Sequence, residues 1–223
     1  MIFPVNKSKY KILKEVYENP GIRISELMKK ANVSQKILYQ HIDELKNSGI
    51  VREEKIGAKP QIRTIYPELK SENGKLLFSL IEAQKREEFF SKYKNLKGPF
   101  LHLLQNLPEN VACILVFGSY AKFSATRESD LDLLFINFEK KNGKIERIVE
   151  EAFVTFGKVS ARTITIEEFL ESKDKDSILK QVIKDHVCIF NAQKFVELLS
   201  KDWYRSSRTH IYWGDRKRRN FFV

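Results

Sequence analysis

The chain has 223 residues, 42% of them hydrophobic and 12% aromatic, which is enough apolar surface for one large or two modest domains and excludes a disordered polymer. The sequence shows no apolar run of the roughly 18 residues that a membrane span needs, and its start lacks the long apolar core of a signal peptide. We therefore expect a soluble cytoplasmic protein with no membrane partner. Cys113 and Cys188 both lie in apolar runs, which disfavours a disulfide framework or a cysteine-based zinc site.

The formal net charge of +11 is concentrated at the two ends of the sequence. Residues 1–70 hold 14 Lys/Arg against 8 Asp/Glu, residues 71–200 hold 19 of each, and residues 201–223 hold 7 against 2. Basic ends favour a polyanionic partner such as nucleic acid, although a solvated charged surface has the same composition.

The first third of the sequence predicts three helices and a hairpin. Apolar residues recur at helical spacing over 7–19, 24–31 and 35–48, and Ser34 is the expected N-cap of the third helix. After Gly49, "IVREEKI" and "IRTIYPEL" predict two strands joined by the basic tip "GAKPQ".

This order of elements resembles the winged helix-turn-helix family over residues 6–69. The resemblance implies that the third helix enters the major groove of double-stranded DNA and that the wing touches phosphates. The residues this places on DNA are Gln35, Lys36, Tyr39 and Gln40 on the helix, with His41 as a further candidate, and Lys59 and Arg63 on the wing. An ordinary polar helix face, or a surface that binds protein, stays open as the alternative.

Residues 71–97 mix apolar and charged residues at helical spacing and predict a long connecting helix. Its apolar side chains pack either on one of the flanking domains or on a second copy of the chain, so a homodimer stays open. These apolar residues are Leu77, Leu80, Ile81, Phe89 and Tyr93.

A second group of polar residues follows the apolar run 111–117, which reads as a buried strand. Gly118 and Ser119 come where that strand should end, and a short helix is expected to begin near Tyr120. Glycine lets backbone amides approach a ligand closely, Ser119 adds a hydroxyl, and a helix N-terminus favours anions. The turn therefore predicts a phosphate site, although Gly-Ser alone occurs at many turns.

Asp130 and Asp132 open the next apolar run, "LLFI". Two residues apart on a strand, their side chains leave the same face roughly 6–7 Å apart. At an effective dielectric near 20 such charges repel by roughly 2.6 kcal/mol, and a bound divalent cation would reverse that cost. Mg²⁺ is the expected cofactor because it takes carboxylate oxygens together with substrate phosphates. An isolated Asp-x-Asp also reads as a solvated strand end.

The apolar strand, Gly118-Ser119 and the later "SDLD" together resemble the minimal nucleotidyltransferases of the DNA polymerase beta superfamily, over about residues 98–200. The resemblance implies that Gly118 and Ser119 hold the triphosphate of ATP or another nucleoside triphosphate. It also implies that Asp130 and Asp132 ligate Mg²⁺ and carry the catalysis. Three nearby residues are further candidates for nucleotide binding, with solvent-facing roles as the alternative: Lys122, Arg127 and Ser129.

The sequence departs from the family at one position. Active members place a third carboxylate on a later strand, whereas the matching "KVSARTIT" offers only Ser160 and Arg162, and Glu167 and Glu168 read as the start of a helix. Two functions therefore stay open. One is an enzyme that transfers a nucleotidyl group to a hydroxyl of a protein, nucleic acid or small molecule; the other is a degenerate transcriptional regulator that uses the domain as a nucleotide sensor or interaction module.

The predicted fold class is α+β: a winged helix-turn-helix over 1–70, a connecting helix over 71–97, and a nucleotidyltransferase-like mixed sheet with flanking helices over 98–200. Residues 201–223 form a basic tail that interleaves Arg and Lys with Trp203, Tyr204, Tyr212 and Trp213. This mixture suits single-stranded nucleic acid or docking of the tail on its own domain.

Overall fold

The structure, a computed structural model, describes residues 6–57, 61–139 and 144–200. It confirms the α+β class, with a helical unit and its three-stranded sheet followed by a four-stranded mixed sheet flanked by helices. Lys59 and the C-terminal tail 201–223 lie outside the described residues. Within the described part of the chain, no helix combines the length and apolarity that crossing a membrane requires.

The N-terminal unit has the predicted order of three helices and a wing. Its elements are α1 (Lys7–Glu18), β1 (Ile22–Arg23), α2 (Ile24–Ala31), α3 (Gln35–Asn47), β2 (Val51–Ile56) and β3 (Ile62–Pro67). The Ser34 side chain accepts a hydrogen bond from the backbone N–H of Ile37, which confirms the predicted N-cap of α3. Strand β1 was not predicted, because two residues are too short to show a period; Ile22 of β1 pairs with Ile65 of β3.

The second unit is built on a four-stranded sheet. Its strands are β4 (Val111–Phe117), β5 (Leu131–Asn137), β6 (Val159–Thr165) and β7 (Val187–Phe190), in the order β6-β5-β4-β7. The surrounding helices are α4 (Glu72–Lys92), α5 (Lys97–Gln105), α6 (Gly118–Ala121), α7 (Lys144–Ala152), α8 (Ile166–Ser172), α9 (Ser177–Lys184) and α10 (Ala192–Leu199), with a 3-10 turn at Lys94–Leu96. Strands β5 and β6 are parallel and the other pairs are antiparallel. A parallel pair needs a crossover, and α7 lies in that connection.

The segment "SILKQVIKDHVCIF" contains both a helix and a strand. Helix α9 ends at Lys184, and the backbone leaves helical angles at Asp185 (φ −120°, ψ 72°). The apolar residues that follow pair with β4 as strand β7. The polar Asp185-His186 step therefore separates a helix from a buried strand, two elements that an apolar run alone does not distinguish.

The two faces of the four-stranded sheet pack against different helices. Leu133 and its alternating neighbours on β5 pack with residues of α5 and α7, whereas Leu134 and Ile136 pack on the opposite face with residues of α8, α9 and α10. Because side chains alternate along a strand, Asp132 lies on the same face as Leu134. The candidate site is therefore on the α9 side of the sheet, at the beginning of β5.

Helices α4 and α10 join the two units through shared cores. Phe78 and Ile81 of α4 lie in the core of the winged helix, and Phe89, further along α4, lies in the core on the α5 side of the sheet. On α10, Val196 is fully buried in the core of the winged helix, while Phe195 packs under the sheet. The winged helix is thus packed directly on the sheet unit.

Candidate functional site

The Gly-Ser turn and the second aspartate meet at one edge of the sheet. Phe117, the last residue of β4, pairs with Asp132 on β5, so Gly118 follows directly beside that aspartate. Gly118 has a φ of +71°, and a Cβ at this position would lie 2.4 Å from Asp132 Oδ2. Only glycine leaves room for the carboxylate at this distance and adopts this backbone angle without strain.

The helix that follows the turn is shorter than a phosphate-binding helix should be. It begins at Gly118 instead of near Tyr120 and has four residues. A single turn aligns few peptide dipoles, so the N-terminus of α6 should attract an anion only weakly. Tyr120 and Ala121 are buried, and the Tyr120 ring lies 4.9 Å from that of Tyr93, which anchors the turn on the sheet unit.

The two aspartates lie in different environments. Asp130 is exposed just before β5, whereas Asp132 is half-buried as its second residue. Burial raises the pKa of Asp132, the negative charge of Asp130 raises it further, and Arg162 opposes both effects. The pair is a concentration of negative charge that a bound cation would neutralise.

The donor set fits a Mg²⁺ ion that also takes ligands from phosphate. Asp130 and Asp132 provide the carboxylate oxygens that Mg²⁺ prefers. Across residues 6–57, 61–139 and 144–200, no three or more His, Cys, Asp or Glu side chains form a group able to hold a metal ion. If Mg²⁺ bound here, Asp130 and Asp132 would hold it, and substrate phosphate and water would have to supply its remaining oxygen ligands.

Strand β6 places no acid beside the aspartates. Ser160 is the register partner of Asp132 in the parallel pair, and Arg162 is the partner of Leu134, so both lie on the face of the sheet that carries Asp132. Glu167 and Glu168 belong to the first turn of α8, as expected. Glu168 accepts a hydrogen bond from the backbone N–H of Thr165 at 2.9 Å and thereby caps that helix.

The three further candidates around the turn differ in what they contact. Lys122 forms an ion pair with Asp185 at 3.6 Å, and Arg127 is exposed in the loop before β5. The hydroxyl of Ser129 accepts a hydrogen bond from the backbone N–H of Thr126 at 2.9 Å, so it stabilises the loop itself. Asp185 was missed in the sequence because it lies far from Lys122 along the chain and is brought close only by the pairing of β7 with β4.

On the winged helix, the predicted DNA-facing residues of α3 lie at its surface, except for His41. Gln35, Lys36 and Gln40 are exposed, and the Gln40 amide donates to Glu44 at 3.2 Å. Tyr39 is half-buried beneath Arg63, whose guanidinium lies 5.1 Å from the ring centre. His41 is only 7% exposed, with its Nδ1 3.5 Å from Glu44, so its ring does not belong to the exposed surface of α3.

Arg63 also has an ionic partner on the wing. It hydrogen-bonds to Glu53, to which Lys46 donates at 2.7 Å. The hydrogen bond with Arg63 is the main cause that lowers the pKa of Glu53 to about 2. Burial opposes this shift, and Lys46 reinforces it. The pairing fixes the guanidinium on the α3 side of the wing, and a phosphate contact by Arg63 has to compete with Glu53.

A buried ionic cluster lies where α4 meets both units, and sequence reasoning did not find it. Glu82 is fully buried and hydrogen-bonds to His186 at 2.7 Å, while Lys85 lies 3.6 Å from Glu82 and 3.8 Å from Glu18 of α1. Burial raises the pKa of Glu82, but His186 and Lys85 outweigh it and hold that pKa at about 2. The cluster connects α1 to the residue that follows Asp185.

Comparison with known families agrees with this architecture. The family described as polymerase beta, nucleotidyltransferase matches residues 100–195, and the family described as winged helix-turn-helix DNA-binding matches residues 5–52. The chain therefore joins a winged helix-turn-helix DNA-binding domain to a polymerase beta-type nucleotidyltransferase domain, as the sequence predicts.

Similarity to individual proteins is limited. A solved structure described as the crystal structure of transcriptional regulator PA4135 is 17% identical, with a TM-score of 0.32, over 47% of this chain and 80% of that one. A search of curated proteins gives no significant match.

Proposed function

We propose that the protein is a DNA-binding regulator whose nucleotidyltransferase-like domain binds a nucleoside triphosphate with Mg²⁺ and adjusts the affinity of the winged helix for DNA. The observation that carries this proposal is the composition of β6, where Ser160 and Arg162 share the face of Asp132 and no carboxylate does.

The chemistry of the site favours binding over group transfer. An attacking hydroxyl must lose its proton to a base within hydrogen-bond reach. Arginine stays protonated in proteins and cannot accept that proton, but its guanidinium matches the geometry of phosphate. In the proposed complex Gly118 lets the phosphates approach the backbone, Arg162 and Lys122 neutralise their charge, and Asp130 and Asp132 hold Mg²⁺, which would screen the phosphates from the two carboxylates.

The contacts around Asp185 and His186 support a link between the nucleotide site and the winged helix. Asp185 pairs with Lys122 beside the Gly-Ser turn, and the next residue, His186, binds Glu82 of α4. Lys85, one turn further along α4, reaches Glu18 of α1. A phosphate that competes for Lys122 would release Asp185, and the adjoining buried cluster gives this change a contiguous route to the DNA-binding unit.

A second candidate is catalytic nucleotidyl transfer to a hydroxyl of a protein, a nucleic acid or a small molecule. The observation that favours it is the close approach of Gly118 to Asp132, which keeps the two family motifs together. Metal ions that lower the pKa of the hydroxyl would make a protein base less necessary.

The test measures DNA binding by the full chain with fluorescence anisotropy on random duplexes at two salt concentrations. Binding should weaken steeply as salt rises, because phosphate contacts release counterions. ATP with Mg²⁺ should change the DNA affinity severalfold, and the double variant Asp130→Asn, Asp132→Asn should bind DNA normally while losing that response. Glu146→Gln with Glu150→Gln removes two exposed acids from α7 and serves as the charge-matched control.

Two results would overturn the regulator. An unchanged DNA affinity in the presence of ATP and Mg²⁺ would remove the proposed coupling. Transfer of label from α-phosphate-labelled ATP to the protein or to an added acceptor, lost in Asp132→Asn, would establish the enzyme in its place.

A further inference from the structure

An apolar cleft adjoins the Gly-Ser turn on the face of the sheet that carries Asp132. Its volume is about 300 Å³, and it opens between the end of β4 and helix α9. Phe117, Ile178 and Val182 form its walls, and Gly118 belongs to its rim. Because Phe117 is the register partner of Asp132, the cleft begins where the proposed phosphate and metal site ends.

The walls of the cleft include apolar surface that the fold itself does not use. Ile178 on α9 is 57% exposed although it is a large aliphatic residue, and Phe117 is only partly buried at the end of its strand. Small-molecule sites have volumes of roughly 300–1,000 Å³ and are lined mainly by apolar side chains. The volume of this cleft is at the lower end of that range. The cleft can hold one flat ring system, but it is too small for a whole nucleotide.

One edge of the cleft is polar. Gln181 donates its side-chain N–H to the carboxylate of Asp185, which also pairs with Lys122. A carboxylate accepts hydrogen bonds only, whereas an amide both donates and accepts. This edge is therefore suited to a ring that presents an amino group beside a ring nitrogen.

We propose that the cleft binds the base of the nucleotide, with the ring between Phe117 and Ile178 and its amino group on Asp185. This inference rests on the proposed nucleotide-binding function and adds the specificity of that site: bases that carry an amino group, such as adenine, bind in preference to uracil. A phosphate that draws Lys122 away from Asp185 frees the carboxylate for the amino group, so triphosphate and base reinforce each other.

Calorimetry on the full chain with Mg²⁺ tests the proposal with three probes: ATP, UTP and inorganic tripolyphosphate. ATP should bind at least about tenfold more tightly than tripolyphosphate, in line with the contribution of base stacking, and more tightly than UTP. Ile178→Asn should reduce the affinity for ATP towards that for tripolyphosphate, without changing tripolyphosphate binding. Gln181→Leu should narrow the difference between ATP and UTP.

Leu101→Asn is the matched control, because Leu101 on α5 is also 57% exposed and α5 packs on the other side of the sheet. It should leave all three affinities unchanged. Equal binding of ATP and tripolyphosphate by the parent protein, or an unaltered ATP affinity in Ile178→Asn, would overturn the base cleft and leave the nucleotide site standing. Binding of neither ATP nor tripolyphosphate would overturn the nucleotide site and the cleft together.

Discussion

Gly118→Ala adds one methyl group at the point where the candidate phosphate turn meets Asp132. An L-residue in the left-handed region costs roughly 1–2 kcal/mol, and Gly118 has a φ of +71°. The new Cβ would lie 2.4 Å from Asp132 Oδ2, so the carboxylate must move by roughly 1 Å to regain ordinary contact. This carboxylate ends a flexible side chain, so the backbone strain should dominate the loss of about 1–2 kcal/mol in unfolding free energy.

The same substitution should affect the proposed ligand more than the fold. A carboxylate displaced by roughly 1 Å no longer meets the geometry that Mg²⁺ demands, so affinity for ATP with Mg²⁺ should fall at least about tenfold. Binding of duplex DNA without nucleotide should be unchanged, because the winged helix is not altered.

Gly98→Ala provides the control for this experiment. Gly98 lies in α5, and a Cβ there would meet no atom within 4 Å. Alanine at this exposed position should change the stability by under about 0.5 kcal/mol, because the gain from replacing a helical glycine is opposed by the crowding that Pro99 imposes on a Cβ at the residue before it. Urea unfolding gives the stabilities and calorimetry the affinities. Parental stability and parental nucleotide affinity in Gly118→Ala would refute the geometry derived for the turn.

Two further predictions concern ionic groups with low exposure. Glu82→Gln leaves His186 and Lys85 facing a neutral amide in a buried site, so urea unfolding should show a loss of about 3–5 kcal/mol in unfolding free energy. The control Glu87→Gln, on the exposed side of the same helix, should change the unfolding free energy by under about 0.5 kcal/mol. Equal effects of the two substitutions would contradict the buried cluster. Glu53 has a side chain that is 6% exposed and a pKa of about 2, below the ordinary value of 4.5. Its ionised form therefore stabilises the fold above pH 4.5, and this stabilisation is lost as the pH falls towards 2. The difference in unfolding free energy between the parent and Glu53→Gln should therefore shrink by up to about 3 kcal/mol across that window, and a difference that stays constant with pH would exclude the ion pairs with Arg63 and Lys46.

Much of the fold follows from local patterns. Helix α2 has the predicted bounds, Ser34 caps α3 as expected, and the strands of the wing and of the Asp-x-Asp segment lie where the apolar runs place them. Each of these features depends on residues that are close in sequence. The Gly-Ser and Asp-x-Asp motifs also lie side by side, since β4 and β5 are consecutive antiparallel strands.

The features that were missed depend on contacts between distant segments. Glu82 occupies a helix position that reads as solvent-facing, and only the packing of β7 against α4 buries it beside His186. Likewise, Phe117 and Ile178 share a cleft because β7 pairs with β4 and sets α9 next to the turn. Local periodicity carries no information on such pairings.

The position of Val196 has a consequence for how the protein is made. This residue of α10 is fully buried in the core of the winged helix, although it follows α3 by roughly 150 positions in the sequence. During translation, the N-terminal unit leaves the ribosome long before α10 does. Until α10 has also emerged, the core of the winged helix lacks the packing of Val196. The winged helix completes its core only after the sheet unit has been synthesised, so a truncated translation product carries an unfinished DNA-binding domain.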